Sequence, residues 1–296
     1  MKLEKALLNK PEVLAIEVTN RCNLNCVYCT KKIANMEDVD IKENILEKIR
    51  SNMSSIKKVI ICGIGESFLY PDLYSFIEEL PEQKICIVTN GTIPIDYKDL
   101  NKKHNVEQLI FSIDALDKAV LDKISTHYKF ENVIKNLEAY LEYYSETKVK
   151  IARVLNCTIN EHNIHELQKL IDFAAKYKFD TIHFSLPRGR ESFIESVREE
   201  LSEILADAKK KALKYGIFYA NPFETCCVYL KWVTPYIALN GDVFACSEAL
   251  YKNDVIGNIQ NNTLEEIWNT QQYKEFQQGV KCEDCKFLSN SKFRFS

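Results

Sequence analysis

The sequence predicts an α/β protein built on a parallel sheet, with a smaller module of different pattern behind it. From Val13 to about Ile217, short β-rich runs alternate with helical ones six times. Repeated β-then-α units at this spacing imply parallel strands joined by right-handed crossovers. After Asn221-Pro222 the alternation stops, so a boundary is expected there, giving domains of 1–220 and 221–296. At 296 residues and 46% hydrophobic composition, the chain can bury a sizeable core.

Strands are expected over 14–19, 59–64, 85–90, 109–114, 149–156 and 182–186. Each is a β-branched or aromatic run, and the clearest helical periodicities between them are 130–144, 165–177 and 197–215. Six units are too few for a closed eight-fold barrel. In either an open or a closed arrangement, function gathers at the carboxyl ends of parallel strands.

The first strand delivers Cys22-Asn23-Leu24-Asn25-Cys26-Val27-Tyr28-Cys29 at its carboxyl end. Three thiolates spaced C-x3-C-x2-C on one tight loop can hold three corners of a cubane iron–sulfur cluster, leaving one iron open. The alternative is a set of buried cysteines or part of a zinc site. The second strand ends in Cys62-Gly63-Ile64-Gly65-Glu66-Ser67, using two of the chain's eight glycines. Such glycines mark a turn or a close backbone approach, and Glu66 can accept hydrogen bonds from an ammonium group. The third strand ends Thr89-Asn90-Gly91-Thr92, and the fourth reads Phe111-Ser112-Ile113-Asp114.

These segments together resemble the radical S-adenosylmethionine (SAM) superfamily. The resemblance implies an open, partial (β/α)6 TIM-like barrel whose open iron is chelated by the amino and carboxylate groups of SAM. Tyr28 matches the aromatic position of the cysteine motif. Gly63, Gly65 and Glu66 stand where the family's Gly-Gly-Glu-Pro motif holds the SAM amino group, with Ser67 in place of the usual proline. Asn90, Ser112 and Asp114 fall in family segments that contact the SAM ribose or the substrate. Read from the residues alone, Ser112 and Asp114 equally suit satisfying loop amides and capping the next helix.

Arg153 lies within an apolar strand and needs a counter-charge: the SAM carboxylate, a substrate anion or an internal acid such as Glu17. A structural ion pair competes with a ligand contact there. On the sixth strand His183 and Ser185 share a face, with Arg188 beyond. His183 is a candidate substrate contact, set against the plainer role of a satisfied core histidine.

In the C-terminal module, 236–239, Asn240-Gly241 and 243–245 read as a tight hairpin. A periodic helix over 264–276 follows, then Cys282-Glu283-Asp284-Cys285. With Cys227 before the hairpin and Cys246 closing it, this resembles the Twitch domain, the shortened relative of the SPASM domain. The resemblance implies one auxiliary [4Fe–4S] cluster on Cys227, Cys246, Cys282 and Cys285, with Cys226 a possible substitute for Cys227. Four thiolates also suit a structural zinc. Cys62, Cys86 and Cys157 read as core residues.

A net charge of −3 with no long basic run argues against a duplex-binding surface, and no membrane span is visible. The start lacks the apolar segment of a signal peptide, so a cytoplasmic location is expected. The resemblance implies an enzyme that cleaves SAM reductively to a 5′-deoxyadenosyl radical and takes hydrogen from a substrate. It also implies a low-potential electron donor such as flavodoxin or ferredoxin. Twitch-containing relatives of dehydrogenase type suggest alcohol oxidation of a sugar, nucleotide sugar or aminocyclitol, with the auxiliary cluster as electron acceptor. Glu17, His183 and Arg153 are the polar candidates for proton handling. Modification of a peptide or protein is the alternative; the cysteine loop beginning at residue 22 leaves no room for an N-terminal peptide-binding domain and favours a small molecule. A non-catalytic metal-binding module is the alternative from a different class.

Overall fold

A computed structural model of the chain describes residues 10–29, 31, 36–187, 191–223, 234–246 and 253–278. Its centre is a sheet of parallel strands in the order β1 (Val13–Ile16), β3 (Lys58–Ile61), β4 (Lys84–Thr89), β5 (Val106–Ser112), β7 (Ala152–Thr158), β8 (Thr181–Ser185) and β9 (Phe218–Ala220). The six expected strands are all present, and β9 adds a seventh. The sheet does not close on itself, as a partial barrel requires.

Period-two alternation sorts the strand residues onto two faces. Val59, Ile61, Ile87, Phe111, Leu155 and Phe184 point to the helix-covered face and are fully buried. Ile60, Val88, Ile110, Ser112, Asn156, Thr158, His183 and Ser185 point to the other, concave face and are only half-buried. One face is a core, and the other is a lining.

Helix α1 (Glu43–Ser51) packs Ile45, Leu46 and Ile49 inward, and α2 (Leu73–Glu78) and α3 (Tyr97–Leu100) follow β3 and β4. Helix α4 is Lys118–Ile124, and α5 (Phe130–Thr147) is the longest, burying Val133, Asn136, Leu137, Tyr140 and Tyr143. Asn136 is the one amide in that stripe, and its neighbours account for it. Its Nδ2 donates to the carbonyls of Gly91 (2.8 Å) and Ile93 (2.7 Å), and its Oδ1 accepts from Ile95 N (3.0 Å). The helix thereby holds the loop after β4. Helices α6 (Leu167–Lys176), α7 (Glu191–Ser196) and α8 (Arg198–Lys214) complete the outer layer.

The C-terminal hairpin, β10 (Tyr236–Ile237) and β11 (Asp242–Phe244), is hydrogen-bonded to the core sheet. β10 runs parallel to β1, with Tyr236 opposite Ala15, and β12 (Gly257–Asn258) extends the far edge. Gly241 makes the turn at φ +84°, a conformation that suits glycine. The single helix expected over 264–276 is two, α9 (Leu264–Trp268) and α10 (Gln271–Gln277). Thr270 takes extended backbone angles, and its hydroxyl accepts from Tyr273 N (3.2 Å), starting a new helix where the periodicity alone reads as continuous. No described helix is long and apolar enough to cross a membrane.

Candidate active site

A cavity of about 470 Å³ opens at the carboxyl ends of the strands. Cys22, Cys26 and Cys29 form one side, Gly63, Gly65, Glu66 and Asn90 another, and Ser112, Asn156, Thr158 and Ser185 the wall opposite the cysteines.

The cysteine loop is clamped at several points. Its β2 (Asn25–Cys26) pairs antiparallel with β6 (Ser125–Thr126), and Val27 N donates to Ile124 O (2.9 Å). Asn23, not anticipated from the sequence, hooks the loop onto the end of β4. Its Nδ2 donates to Thr92 Oγ1 (2.8 Å), and its Oδ1 accepts from Asn90 Nδ2 (3.0 Å). All three thiols are free and half-buried. Burial pushes Cys22 up, and Cys26 to about 12, so neither is a thiolate at neutral pH without a metal cation beside it. Among the described residues, no three histidine, cysteine or acidic side chains converge on a single ion position; the three thiols instead share one cavity wall. Three soft donors around a shared space fit a [4Fe–4S] cluster, with Cys22, Cys26 and Cys29 holding it.

The glycines and Glu66 serve this loop. A Cβ on Gly65 would sit 2.4 Å from Thr19 O and 2.6 Å from Arg21 O, so the β3 loop lies directly against the backbone leading into the cysteines. Glu66 N donates to Arg21 O (2.7 Å). The Glu66 carboxylate accepts from Asn90 N (2.6 Å), the Thr89 hydroxyl (2.7 Å) and Phe68 N (3.1 Å). Burial raises its pKa, and those three donors work against the rise. Glu66 therefore clasps β3 to β4, as well as lining the cavity.

Tyr28 lines the cavity with its ring and donates its hydroxyl to Asp114 Oδ2. Asp114 is buried, lies outside the cavity lining and accepts from Thr158 N (2.8 Å) through Oδ1. Burial lifts its pKa to about 6 against those two donors. Of the two roles weighed for it, satisfying a loop amide is the one seen. The following helix is capped by Asp117, which accepts from Ala119 N (2.8 Å) and Val120 N (3.2 Å).

Three expected residues stand elsewhere. Arg153 is on the helix-covered face: its guanidinium donates to the carbonyls of Tyr177 (2.7 Å) and Lys178 and lies 4.0 Å from the centroid of Tyr140. The cation is met by carbonyls and an aromatic face instead of a ligand anion or Glu17. Glu17 is buried behind Gly63, where a Cβ would sit 2.6 Å from its Cγ, and it accepts from Ile64 N (2.8 Å). Burial raises its pKa, opposed by the amides of Ile64 and Leu239 and by Tyr236. His183 faces inward but stands outside the cavity lining, with Nδ1 2.9 Å from Asn156 Oδ1 and its pKa lowered by burial. Asn156 and Thr158 were not picked out from the sequence. Their signal is parity, since they alternate with Leu155 and Cys157 on a strand whose buried face is apolar.

Of the auxiliary ligands, Cys246 is described and half-buried; Cys226, Cys227, Cys282 and Cys285, like Arg188, lie outside the described residues. Cys86 and Cys157 are buried, as expected, whereas Cys62 is half-buried on the concave face.

The profile of the Radical SAM superfamily matches residues 16–174, a little over half the chain. That of an iron–sulfur cluster-binding domain, SPASM, matches residues 226–286. A GTP 3′,8-cyclase of Clostridium perfringens is 29% identical over 67% of this chain and 63% of its own length, so the chain spans less than two thirds of that relative. The tungsten-containing aldehyde ferredoxin oxidoreductase cofactor-modifying protein of Pyrococcus furiosus is 25% identical over 92% of this chain and 86% of its own length. Among solved structures, Streptococcus suis SuiB bound to precursor peptide SuiA superposes with a TM-score of 0.71 at 19% identity, covering 95% of this chain and 71% of SuiB. The enzyme anSMEcpe with bound AdoMet gives 0.70 at 17% identity, covering 94% and 84%. These two show a shared fold.

Proposed function

The chain belongs to the radical SAM superfamily, with an iron–sulfur cluster-binding domain behind its core, and from that premise we propose that it oxidises an alcohol of a small polyhydroxy substrate to a ketone. The observation that carries this reading is the wall facing the cysteines. Asn156, Thr158, Ser185 and Ser112 present neutral amide and hydroxyl groups across the cavity. Such groups suit the hydroxyls of a sugar or aminocyclitol, each of which both donates and accepts.

The bound groups supply a 5′-deoxyadenosyl radical as hydrogen-atom acceptor and, at the C-terminal cysteines, an oxidised cluster as electron acceptor. Converting a secondary alcohol to a ketone removes one hydrogen atom, one proton and one electron. The chain's work is to orient the carbinol carbon and receive the proton. Thr158 and Ser185 stand side by side at the strand ends, their hydroxyls 3.4 Å apart, and offer paired contacts to vicinal hydroxyls. Leu186, Pro187 and Ile64 add apolar lining that limits water. With Asn156 Oδ1 as acceptor, His183 Nδ1 carries the proton, and the lowered pKa keeps the ring neutral, with Nε2 a lone-pair base one residue behind the wall. A low-potential protein such as flavodoxin or ferredoxin is the proposed reductant.

Peptide modification is the second reading. It draws support from the half-buried concave face, which extends beyond the cavity, and from the fold shared with SuiB, whose structure holds a precursor peptide. One experiment separates them. Reduced, reconstituted protein is incubated with SAM and polyols deuterated at the carbinol carbon, and the deuterium in 5′-deoxyadenosine is measured. Label in that product together with a ketone is expected. SAM turnover that stays unlabelled with every polyol, but is stimulated by peptides, would overturn the alcohol reading.

A further inference from the structure

Beside Cys246 the protein buries a phenol that has no acceptor. Tyr273, on α10, is fully buried, and its hydroxyl finds no hydrogen-bond partner. Its ring is fixed by Trp268 (centroids 4.8 Å apart, 36° between planes) and Phe276 (6.2 Å, 78°). Packing alone would be served by phenylalanine, and a buried tyrosine hydroxyl ordinarily reaches an acceptor. The titratable group it faces is Cys246: burial raises the phenol's pKa, and a thiolate at Cys246 raises it further. An orphaned donor aimed at a half-buried thiol marks the place of an electron-rich acceptor bound there.

We propose that the Tyr273 hydroxyl donates a hydrogen bond to a sulfur of the iron–sulfur cluster held at Cys246 and so raises that cluster's reduction potential. The inference rests on the reading that the C-terminal cysteines hold a cluster. Its physics is short. One-electron reduction adds negative charge to the cluster, and a fixed donor in a dry environment stabilises the reduced form more than the oxidised one. In an alcohol oxidation such a cluster receives an electron, which a higher potential favours. Tyr273 is thus a tuning residue, remote from the substrate cavity.

The test uses the full chain with Cys22, Cys26 and Cys29 all replaced by alanine, so that only the C-terminal site binds iron. After anaerobic reconstitution, the midpoint potential is measured by EPR-monitored redox titration, with and without Tyr273→Phe. The expected result is equal iron content and a midpoint shifted to more negative potential in the Phe variant. An unshifted midpoint at equal iron overturns the inference while leaving the cluster reading intact. Absence of any reducible cluster in the parent overturns the reading beneath it, and the inference with it. If Tyr273→Phe loses iron, pulsed EPR on the parent reconstituted in H₂O and in D₂O decides. A strongly coupled exchangeable proton supports the hydrogen bond, and none overturns it.

Discussion

Asp114 and Arg153 are two buried charges whose roles their neighbours decide. For Asp114, a carboxyl lifted from 3.8 to about 6 binds its proton more tightly in the folded state, so its contribution to stability is full below pH 4 and is lost as pH rises to 6. A shift of that size corresponds to about 3 kcal/mol at neutral pH. Asparagine can keep both contacts, accepting from Thr158 N and donating to the Tyr28 oxygen. Anaerobic urea unfolding should therefore find Asp114→Asn at least as stable as the parent at pH 7, with a shallower decline between pH 4 and 6. A loss above about 2 kcal/mol at pH 7 would mean that the ionised carboxylate is required. Arg153 gives the opposite expectation. Arg153→Met strands the carbonyls of Tyr177 and Lys178 and should cost about 3 kcal/mol, leaving iron content and SAM affinity unchanged. A tenfold weaker SAM affinity at unchanged fold would return Arg153 to the ligand. The contrast marks what could be read from residues. Cys22, Cys26, Cys29, Gly65 and Glu66 were legible because their chemistry is packed into short segments. Arg153 was misassigned because its face depends on parity: it alternates in step with Leu155 and Cys157, both fully buried, and out of step with Asn156 and Thr158. Asn23 was invisible because its partners, Asn90 and Thr92, are almost seventy residues away.

Element ends set the cysteine loop, and glycine substitutions probe them cleanly. Gly65→Ala drives a methyl into the carbonyls of Thr19 and Arg21, neither of which can yield without moving the loop. Iron at the N-terminal site should fall with it, and SAM cleavage, read as 5′-deoxyadenosine formed, should drop about tenfold or more, as expected for a barrier raised by at least 1.4 kcal/mol. Gly216→Ala is the control. Gly216 ends α8 at φ +71° with nothing within 4 Å of an added Cβ, so only backbone strain of about 1 kcal/mol is at stake, with SAM cleavage unaffected. Equal cleavage by the two variants would refute the close-approach role of Gly65. The same scale shows where element reading stopped. Strands β1, β3, β4, β5, β7 and β8 were legible as apolar runs, but β9 is three residues following a long helix and a glycine, too short for a period to declare itself. The break between α9 and α10 is invisible to periodicity because Trp268, Tyr273 and Phe276 keep helical spacing across it, and a threonine hydroxyl makes the cap.

At the scale of the molecule, the C-terminal segment completes the sheet. Ala15 N donates to Pro235 O (2.9 Å) and Glu17 N to Ile237 O (3.0 Å), so β1, the strand that carries the cysteine loop, is an inner strand only because β10 lies beside it. Glu17 extends the link, with Ile64 beside the cavity on one side and Leu239 of the hairpin on the other. Leu264 N further donates to Asn52 Oδ1 (2.7 Å), and Trp268 is buried in the same apolar core as Ile16 and Ile61. A chain cut after residue 220 would turn β1 into an exposed edge, an invitation to aggregate, and would open that core. We therefore expect the 1–220 fragment to be insoluble, or soluble without iron and without SAM cleavage. Full-length Cys246→Ala, which keeps the hairpin while losing a ligand, should retain about four irons on Cys22, Cys26 and Cys29 and still cleave SAM. The pair separates two jobs that deletion alone confounds, bracing the cysteine strand and holding a second cluster. A soluble 1–220 fragment cleaving SAM at the rate of the full chain would show that β10 braces nothing, and that the two segments are joined by sequence more than by the sheet.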